Sequence, residues 1–373
     1  MRIAISAESF LPRTNGVANS VAQVALTLRQ LGHDLLILAP DSYRDDHFHG
    51  IPVQRVRSIE IPGVHDVDVA VTTANRMAAV LEDFAPDVVH LASPFVQGRV
   101  VLQAARACGL PTVAVFQTHV SGYANHYRLS GVSFLADSVV RGVHRNATLT
   151  LAPSRDCVDY LAGLGVETIR LWGRGVDVAQ FSPSRRSAAL RASWSPAGRP
   201  VVGYVGRLAP EKGVEMLAGL SAAADVQVVV IGDGPCRADL ERVMPEAHFT
   251  GRLLGSDVAE AMASLDVLVA PGELETFCQV VQEGMASGVP VVAPAIGGPR
   301  DLIDHGVTGL LYEPGHRHGM ERLVRLLTND HALATRLTDA AQAWVAGRTW
   351  GALTDELIAH YEDVRLGSRL AAA

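Results

Sequence analysis

The chain has 373 residues, of which 48% are hydrophobic and 19% charged, and this balance excludes global disorder. At roughly 150 residues per domain, the length favours two domains. The 32 basic and 39 acidic residues give a net charge of −7. Nucleic acid is therefore disfavoured as a partner, because proteins that bind it are usually basic.

The first half of the chain alternates short apolar runs with longer amphipathic stretches. The sequence predicts strands at 2–6, 34–39, 87–91 and 112–117, and helices at 19–31 and 98–108. This alternation indicates a parallel sheet that is covered by helices on both faces.

The alternation is interrupted near 172–183 and restarts with an apolar strand at 200–206. The sequence then predicts strands at 226–232, 248–251, 267–270 and 290–293, a helix at 350–365 and a frayed tail at 366–373. We therefore expect two α/β domains, over 1–172 and 173–349, followed by a C-terminal segment, 350–373.

Cysteine usage and hydropathy indicate the compartment. Four scattered cysteines form no C-x-x-C pair, so no zinc or dithiol motif is predicted, and reduced thiols are expected. The amino terminus has no apolar stretch typical of a signal peptide, and no window approaches the ~20 apolar residues that span a bilayer. We expect a cytoplasmic protein that is at most peripheral at the inner face of the plasma membrane.

The turn after the first predicted strand lacks the G-x-G-x-x-G of a dinucleotide-binding domain. It contains one glycine, Gly16, just before the first helix. This glycine indicates either an ordinary tight turn or a close approach of the backbone to a phosphate or sugar.

Two cations follow the strand at 200–206. Arg207 comes directly after it and Lys212 lies five residues further on. Ligands of parallel sheets bind beyond the carboxyl ends of strands, and this pair suits a diphosphate. The alternative is that both are solvated loop cations.

Two glutamates, Glu275 and Glu283, flank the start of a helix predicted at 277–287. The free N–H groups near Thr276, Phe277 and Cys278 would form an anion site, and Glu283 could accept hydrogen bonds from a ribose diol. A solvated Glu283 is the less favoured alternative, since the helix is otherwise apolar and small.

Four segments in the second half carry a resemblance to a known family. They are G-R-L-A-P-E-K-G (206–213), V-V-I-G-D-G-P (229–235), F-T-G-R-L (249–253) and E-T-F-C-Q-V-V-Q-E-G-M-A-S-G-V-P-V-V (275–292). With N-G-V at 15–17, the chain resembles the retaining glycosyltransferases of family 4 over nearly its whole length. The resemblance implies an α/β GT-B fold, with two Rossmann-like domains, a deep interdomain cleft and a C-terminal helix that packs back on the first domain.

The segments D-V-V-H-L-A-S-P (87–94) and W-G-R-G-V-D (172–177) narrow the resemblance. They are similar to those of actinobacterial GDP-mannose-dependent α-mannosyltransferases that act on glycolipids. Sulfolipid synthases also look similar, so a UDP-sugar donor is the alternative. The resemblance implies a nucleotide-sugar donor, most simply GDP-mannose, and a glycolipid acceptor.

The resemblance also implies site residues. Arg207 and Lys212 would hold the diphosphate as it leaves, and Glu283 the ribose. The other implied donor contacts are Gly16 in the first domain, Arg252, Leu253 and Leu254 around the base, and Glu275, Thr276, Phe277, Cys278 and Gln279 around the sugar and phosphates.

His119, at the end of the strand predicted at 112–117, completes the implied catalytic set of His119, Glu275, Arg207 and Lys212. The resemblance places it near the reacting sugar, where it could hydrogen-bond a hydroxyl or steady positive charge through its carbonyl. The alternative is a core histidine satisfied by the backbone.

The sequence offers no convincing metal site. Asp66 and Asp68 match D-x-D, but they lie in a predicted loop and we interpret them as solvated acids. We therefore predict a metal-independent transferase without a cofactor.

Other functions fit the sequence less well. A nucleotide-sugar 2-epimerase is a less favoured alternative, and a dehydrogenase is disfavoured by the missing glycine motif. The stretch 133–146 is predicted as an amphipathic helix, with Arg141 and Arg145 four residues apart. It indicates either contact with an anionic membrane or an ordinary helix packed on the sheet.

Overall fold

The computed structural model describes residues 1–12, 15–60, 68–92, 94–118, 130–223 and 225–372. They form two compact units. Unit 1 comprises Met1–Arg174 and Trp350–Ala373, and unit 2 comprises Gly175–Thr349.

The described part of unit 1 has ten strands. They are β1 (Arg2–Ala7), β2 (Asp34–Pro40), β3 (His47–Phe48), β4 (Ile51–Val56), β5 (Ser58–Glu60), β6 (Asp68–Ala70), β7 (Val88–Ala92), β8 (Thr112–Val115), β9 (Leu149–Ala152) and β10 (Ile169–Leu171). Eight form one sheet in the order β10-β9-β8-β7-β1-β2-β4-β3, which is parallel except for β3. The remaining two, β5 and β6, form an antiparallel hairpin.

Five helices connect these strands. They are α1 (Gly16–Gln30), α2 (Ala74–Phe84), α3 (Val96–Ala107), α4 (Ser130–His144) and α5 (Arg155–Gly163). Helix α1 begins three residues earlier than predicted because the Asn15 side chain accepts hydrogen bonds from the N–H groups of Val17 and Ala18.

Unit 2 has a six-stranded, wholly parallel sheet in the order β13-β12-β11-β14-β15-β16. Its strands are β11 (Val201–Val205), β12 (Gln227–Ile231), β13 (His248–Gly251), β14 (Val267–Val269), β15 (Val291–Pro294) and β16 (Leu310–Tyr312). The strands β11, β12, β14 and β15 are buried along their length, as expected of a sheet covered on both faces.

The helices of unit 2 are α6 (Ala188–Trp194), α7 (Ala218–Ser221), α8 (Arg237–Val243), α9 (Gly255–Ala263), α10 (Gln279–Ala286), α11 (Gly297–Leu302), α12 (Arg317–Asn329) and α13 (His331–Val345). Short 3₁₀ turns lie at Pro183–Arg185, Pro210–Lys212 and Val214–Leu217. The predicted α/β class and parallel sheets are confirmed, and every predicted strand lies within two residues of an observed one.

The last helix, α14 (Trp350–Ala372), belongs to unit 1 and contradicts the predicted frayed tail, since it continues through 366–372. Its fully buried Tyr361 places its hydroxyl 2.7 Å from Nδ1 of His90 in β7. The indole N–H of Trp172 donates to the Leu353 carbonyl at 2.8 Å. Burial therefore continues far along this helix. Within the described residues, no helix is both long and apolar enough to cross a membrane.

Candidate active site

Three loops meet at the carboxyl edge of the unit 2 sheet. The N–H of Gly206, after β11, donates to the Ile231 carbonyl of β12, and the N–H of Gly232 donates to the Gly251 carbonyl of β13, both at 2.9 Å. A Cβ at Gly232, whose φ is 150°, would overlap the Gly206 carbonyl oxygen. The G-D-G-P segment therefore needs glycine here so that neighbouring strand ends can approach closely.

The two predicted cations follow β11 at this edge. Arg207 is about half exposed, and its Nη2 lies 3.5 Å from Oε1 of the buried Glu211. The Tyr204 hydroxyl donates a hydrogen bond to the Arg207 carbonyl at 2.8 Å, which fixes the backbone of Arg207. Lys212 closes the 3₁₀ turn Pro210–Lys212.

The structure brings Lys212 and Glu275 together. The Lys212 ammonium donates to Oε1 of Glu275 at 2.6 Å, and both side chains are largely buried. A charge-assisted bond with little water around it fixes the position of both groups. The cation and the carboxylate, 63 residues apart in the chain, therefore form one unit.

The loop that carries Glu275 is held by Gly298 and Gly315, which are not among the predicted site residues. The N–H of Gly298 donates to the Glu275 carbonyl at 2.7 Å, and the N–H of Gly315 donates to Oε1 of Glu273 at 2.6 Å. A Cβ at Gly298 would overlap the Phe277 carbonyl, so this turn after β15 must contain glycine. The G-G pair following a predicted strand was the available signal.

Helix α10 begins at Gln279, so the predicted start at Phe277 is wrong by two residues. Phe277 is buried in the core, and Cys278 adopts the left-handed conformation with φ 68° and ψ 66° before the helix begins. This conformation is rare outside glycine and redirects the chain. Thr276, Phe277 and Cys278 therefore precede the helix instead of forming its first turn.

Only one of the two polar atoms of the Gln279 side chain has a hydrogen-bond partner among the described residues. Its amide nitrogen donates to the Gly175 carbonyl at 2.9 Å. Its buried Oε1 accepts no hydrogen bond from any described residue. This oxygen is available to a donor that is not part of the described protein.

Glu283 lies on α10 in a largely dehydrated position. Burial raises the pKa of its carboxyl from 4.5 to about 7, and no described residue forms a hydrogen bond or ion pair with it. The carboxyl therefore lacks the partners that normally accompany a buried acid.

The thiol of Cys278 shows that the predicted residues are close to one another. Burial raises its pKa most, the charges of Glu275 and Glu283 raise it further, and the charge of Lys212 lowers it. All three groups therefore lie within electrostatic reach of one buried side chain.

The residues predicted around the base follow β13. Arg252 and Leu254 are exposed, whereas Leu253 packs partly against the core of unit 2. Leu254 directly precedes α9. Backbone and side-chain surface are thus open beside the Gly232 loop.

In unit 1, Gly16 is the first residue of α1. Nη1 of Arg174 lies 3.2 Å from the position that a Cβ of Gly16 would occupy, and Nη2 donates to Oε1 of the buried Gln117 at 2.9 Å. Neither Arg174 nor Gln117 was selected from the sequence, although Arg174 is part of the W-G-R-G-V-D segment. His119 lies outside the described residues.

Glu8 directly follows β1 and caps α3. Its carboxylate accepts hydrogen bonds from the N–H groups of Phe95, Val96 and Gly98, those of Val96 and Gly98 measuring 3.0 and 2.8 Å. Burial outweighs these bonds and raises the pKa of Glu8 to about 7. Because Glu8 accepts hydrogen bonds from the N–H groups at the start of α3, we interpret it as a structural cap of that helix.

Of the D-x-D pair, Asp66 lies outside the described residues. Asp68 begins β6, where it pairs with Glu60, so its assignment to a loop is wrong. Among the residues that the structure describes, no three His, Cys, Asp or Glu side chains are grouped to hold a metal ion.

The fold matches a solved structure. A sucrose-phosphate synthase from Thermosynechococcus elongatus superposes with a TM-score of 0.81 at 20% identity, covering all of both chains. Two Rossmann-like α/β units with parallel sheets are the architecture of the GT-B fold.

Family models narrow the assignment. The model described as Glycosyltransferase Family 4 matches residues 14–180, and the model described as Glycosyl transferases group 1 matches residues 199–330. The chain belongs to the family 4 glycosyltransferases and is a glycosyltransferase.

Two relatives differ in the sugar that their names say they transfer. The chain is 50% identical to a "GDP-mannose-dependent alpha-mannosyltransferase" of Mycolicibacterium smegmatis, over 99% of both chains. It is 33% identical to a sulfoquinovosyl transferase of Arabidopsis thaliana, over 95% of this chain and 72% of the relative.

Proposed function

We propose that this protein transfers a mannosyl residue from GDP-mannose to a hydroxyl of a glycolipid, with retention of the α configuration, at the inner face of the plasma membrane. The donor is inferred from the 50% identity over 99% of both chains with an enzyme named for GDP-mannose. The sulfoquinovosyl transferase is a more distant relative at 33% identity. These figures favour GDP-mannose over the UDP-sugar alternative.

The observation that carries the donor site is the grouping of Lys212, Glu275 and Glu283 around Cys278 at one sheet edge. Glu283 accepts hydrogen bonds from the two ribose hydroxyls of the nucleotide, which supply the partners that its carboxyl lacks. The base lies against Arg252 and Leu254 beside the Gly232 loop.

The cations act on the leaving group. As the bond from the sugar C1 to the diphosphate oxygen breaks, negative charge grows on that oxygen, and Lys212 and Arg207 stabilise it. Lys212 has three donors, so it can contact the diphosphate while it stays bonded to Glu275.

Retention follows from attack on the same face of the sugar. The acceptor oxygen forms its bond to C1 as the diphosphate departs, and the acceptor proton passes to the departing oxygen. Glu275, positioned by Lys212 and by the Gly298 N–H, contacts the sugar. We assign His119 to the reacting sugar on the family resemblance.

The acceptor side involves α4 in unit 1. Val140 and Val143 are buried, whereas Phe134 is 76% exposed and Arg141 and Arg145 lie on the surface. One face of this helix therefore packs on the sheet as an ordinary helix does, while an aromatic ring and two cations remain available to a membrane. We propose that the Phe134 ring inserts into the membrane–water interface.

A donor panel tests the reaction. The purified protein is titrated calorimetrically with GDP-mannose, GDP-glucose, UDP-glucose and UDP-N-acetylglucosamine, and each labelled sugar is then offered with an actinobacterial lipid extract. We expect transfer into the lipid phase from GDP-mannose alone. Transfer from a UDP-sugar would contradict the donor assignment, and epimerisation without transfer would contradict the reaction class.

Chelation tests the role of the cations. We propose that Arg207 and Lys212 replace a divalent metal, so transfer should continue at its full rate in excess EDTA. Activity that disappears with the chelator and returns with Mg²⁺ or Mn²⁺ would refute this account and make Asp66 and Asp68 candidate ligands.

A further inference from the structure

Unit 1 carries a charged cavity of about 580 Å³ where β2 and β4 end. The charged side chains that line it are Arg55, Arg57 and Arg76 with Asp41 and Asp46. Because β2 and β4 are parallel neighbours, the residues that follow them emerge at the same carboxyl edge of the sheet. Ligands of open parallel sheets bind beyond this edge.

The acidic groups of the cavity are already engaged. Oδ1 of Asp41 accepts hydrogen bonds from the Ser58 N–H at 3.0 Å and the Ser58 hydroxyl at 2.6 Å. Asp46 pairs with Arg55 at 3.0 Å. By contrast, the guanidinium groups of Arg57 and Arg76 meet neither a carboxylate nor another acceptor among the described residues.

The start of α2 adds to the positive potential. This helix begins at Ala74 after Thr73, whose hydroxyl accepts the Arg76 N–H at 3.4 Å, and its first turn contains no acidic residue. The positive end of the helix dipole is therefore reinforced by Arg76 instead of being neutralised. Both contributions favour an anion in the cavity.

An exposed apolar surface adjoins Arg57. The Val71 N–H donates to the Arg57 carbonyl at 2.7 Å, so these two residues face each other across the β5–β6 hairpin. Strand alternation places Ile59 on the same side as Arg57. Ile59 and Val71 are 56% and 46% exposed. Cations beside apolar side chains suit an amphiphile better than a free anion.

We propose that this arginine pocket, formed by Arg57 and Arg76 with Ile59 and Val71 beside it, binds the phosphate or carboxylate head group of an anionic membrane lipid. Guanidinium forks match such groups in shape and charge. The inference rests on the proposed function, because a transferase acting on glycolipids must reach their surface, and it identifies the lipid class that holds it there.

Vesicle co-sedimentation tests the pocket with the full chain. Vesicles of phosphatidylcholine alone are compared with vesicles that contain one third phosphatidylglycerol, using the wild type and the double variant R57Q/R76Q. Each basic residue near an anionic surface contributes roughly fivefold, so we expect the double variant to bind the anionic vesicles about 30-fold more weakly. The control is R185Q/R322Q, which removes two exposed charges from unit 2.

Two further measurements separate a lipid from a soluble anion. Ile59→Ser should weaken binding to anionic vesicles severalfold. Inorganic phosphate, titrated calorimetrically, should bind the wild type far more weakly than the vesicles do. Tight phosphate binding that Ile59→Ser leaves unchanged would overturn the lipid assignment in favour of a soluble anion.

The pocket itself is refuted if R57Q/R76Q binds anionic vesicles as tightly as the wild type. It is also refuted if R57Q/R76Q and the control R185Q/R322Q lose the same amount of affinity for these vesicles. Mannosyl transfer by the wild type is measured in the same preparations. Transfer with unchanged vesicle binding rejects the pocket alone, whereas absent transfer rejects the proposed function whatever the vesicles show.

Discussion

Glu283 should make nucleotide binding depend on pH. In the free protein, burial raises the pKa of this carboxyl to about 7, and no described residue bonds to it. An ionised carboxylate can accept both ribose hydroxyls, whereas a protonated one offers fewer acceptor positions. GDP should therefore bind the ionised form, and its affinity should rise with pH through about 7.

The size of the effect follows from that pKa. Only about a tenth of Glu283 is ionised at pH 6, so the Kd for GDP should be about tenfold higher there than at pH 8, or ~1.4 kcal/mol. Calorimetry at both pH values measures it, and GDP binding at pH 6 should release protons. The phosphates of GDP also titrate in this pH range. The change of the Kd with pH is therefore compared between the wild type and Glu283→Gln, whose side chain cannot ionise.

Stability without nucleotide should follow the opposite trend. In the folded protein the pKa of about 7 exceeds the ordinary value of 4.5 for a glutamate, so folding favours the protonated carboxyl. This contribution, about 3 kcal/mol at most, is complete below about pH 4.5 and lost as pH rises through 7. Glu283→Gln should therefore unfold at a higher temperature than the wild type at pH 8.

The binding experiment decides the ribose role of Glu283. If the Kd for GDP changes with pH equally in the wild type and in Glu283→Gln, that role is refuted.

Three further substitutions test other parts of the structure. Lys212→Ala should lower kcat for transfer by about 10²-fold, comparable with losing an oxyanion donor, and a change in KM alone would contradict its action on the leaving group. Gly298→Ala should weaken GDP binding and unfold at lower urea, whereas Gly347→Ala, whose Cβ meets nothing within 4 Å, should do neither. Tyr361→Phe should cost about 1–3 kcal/mol in urea unfolding by leaving the buried His90 nitrogen without its partner, and unchanged stability would show that this hydrogen bond contributes nothing.

Local sequence patterns were sufficient for the α/β class and for most central strands. A buried parallel strand is a short apolar run, and the chain repeats such runs between amphipathic stretches. Seven strands were not predicted, namely β3, β4, β5, β6, β9, β10 and β16. Most of them are short or partly exposed and carry little apolar signal, and the buried β9 has only four residues. The start of α10 was missed for another reason, since only the packing of Phe277 and the left-handed Cys278 delay it.

Motif residues were also selected from the sequence, but not their mutual arrangement. Arg207, Lys212, Glu275 and Glu283 were chosen as a donor site from the chemistry of their side chains and the family resemblance. Tertiary structure alone decided that Lys212 bonds to Glu275, that Gly298 supports the loop that carries Glu275, and that Glu283 has no partner among the described residues. The physical reason is that strand order and the close approach of loops bring distant residues together, and burial by those contacts sets the pKa of each acid.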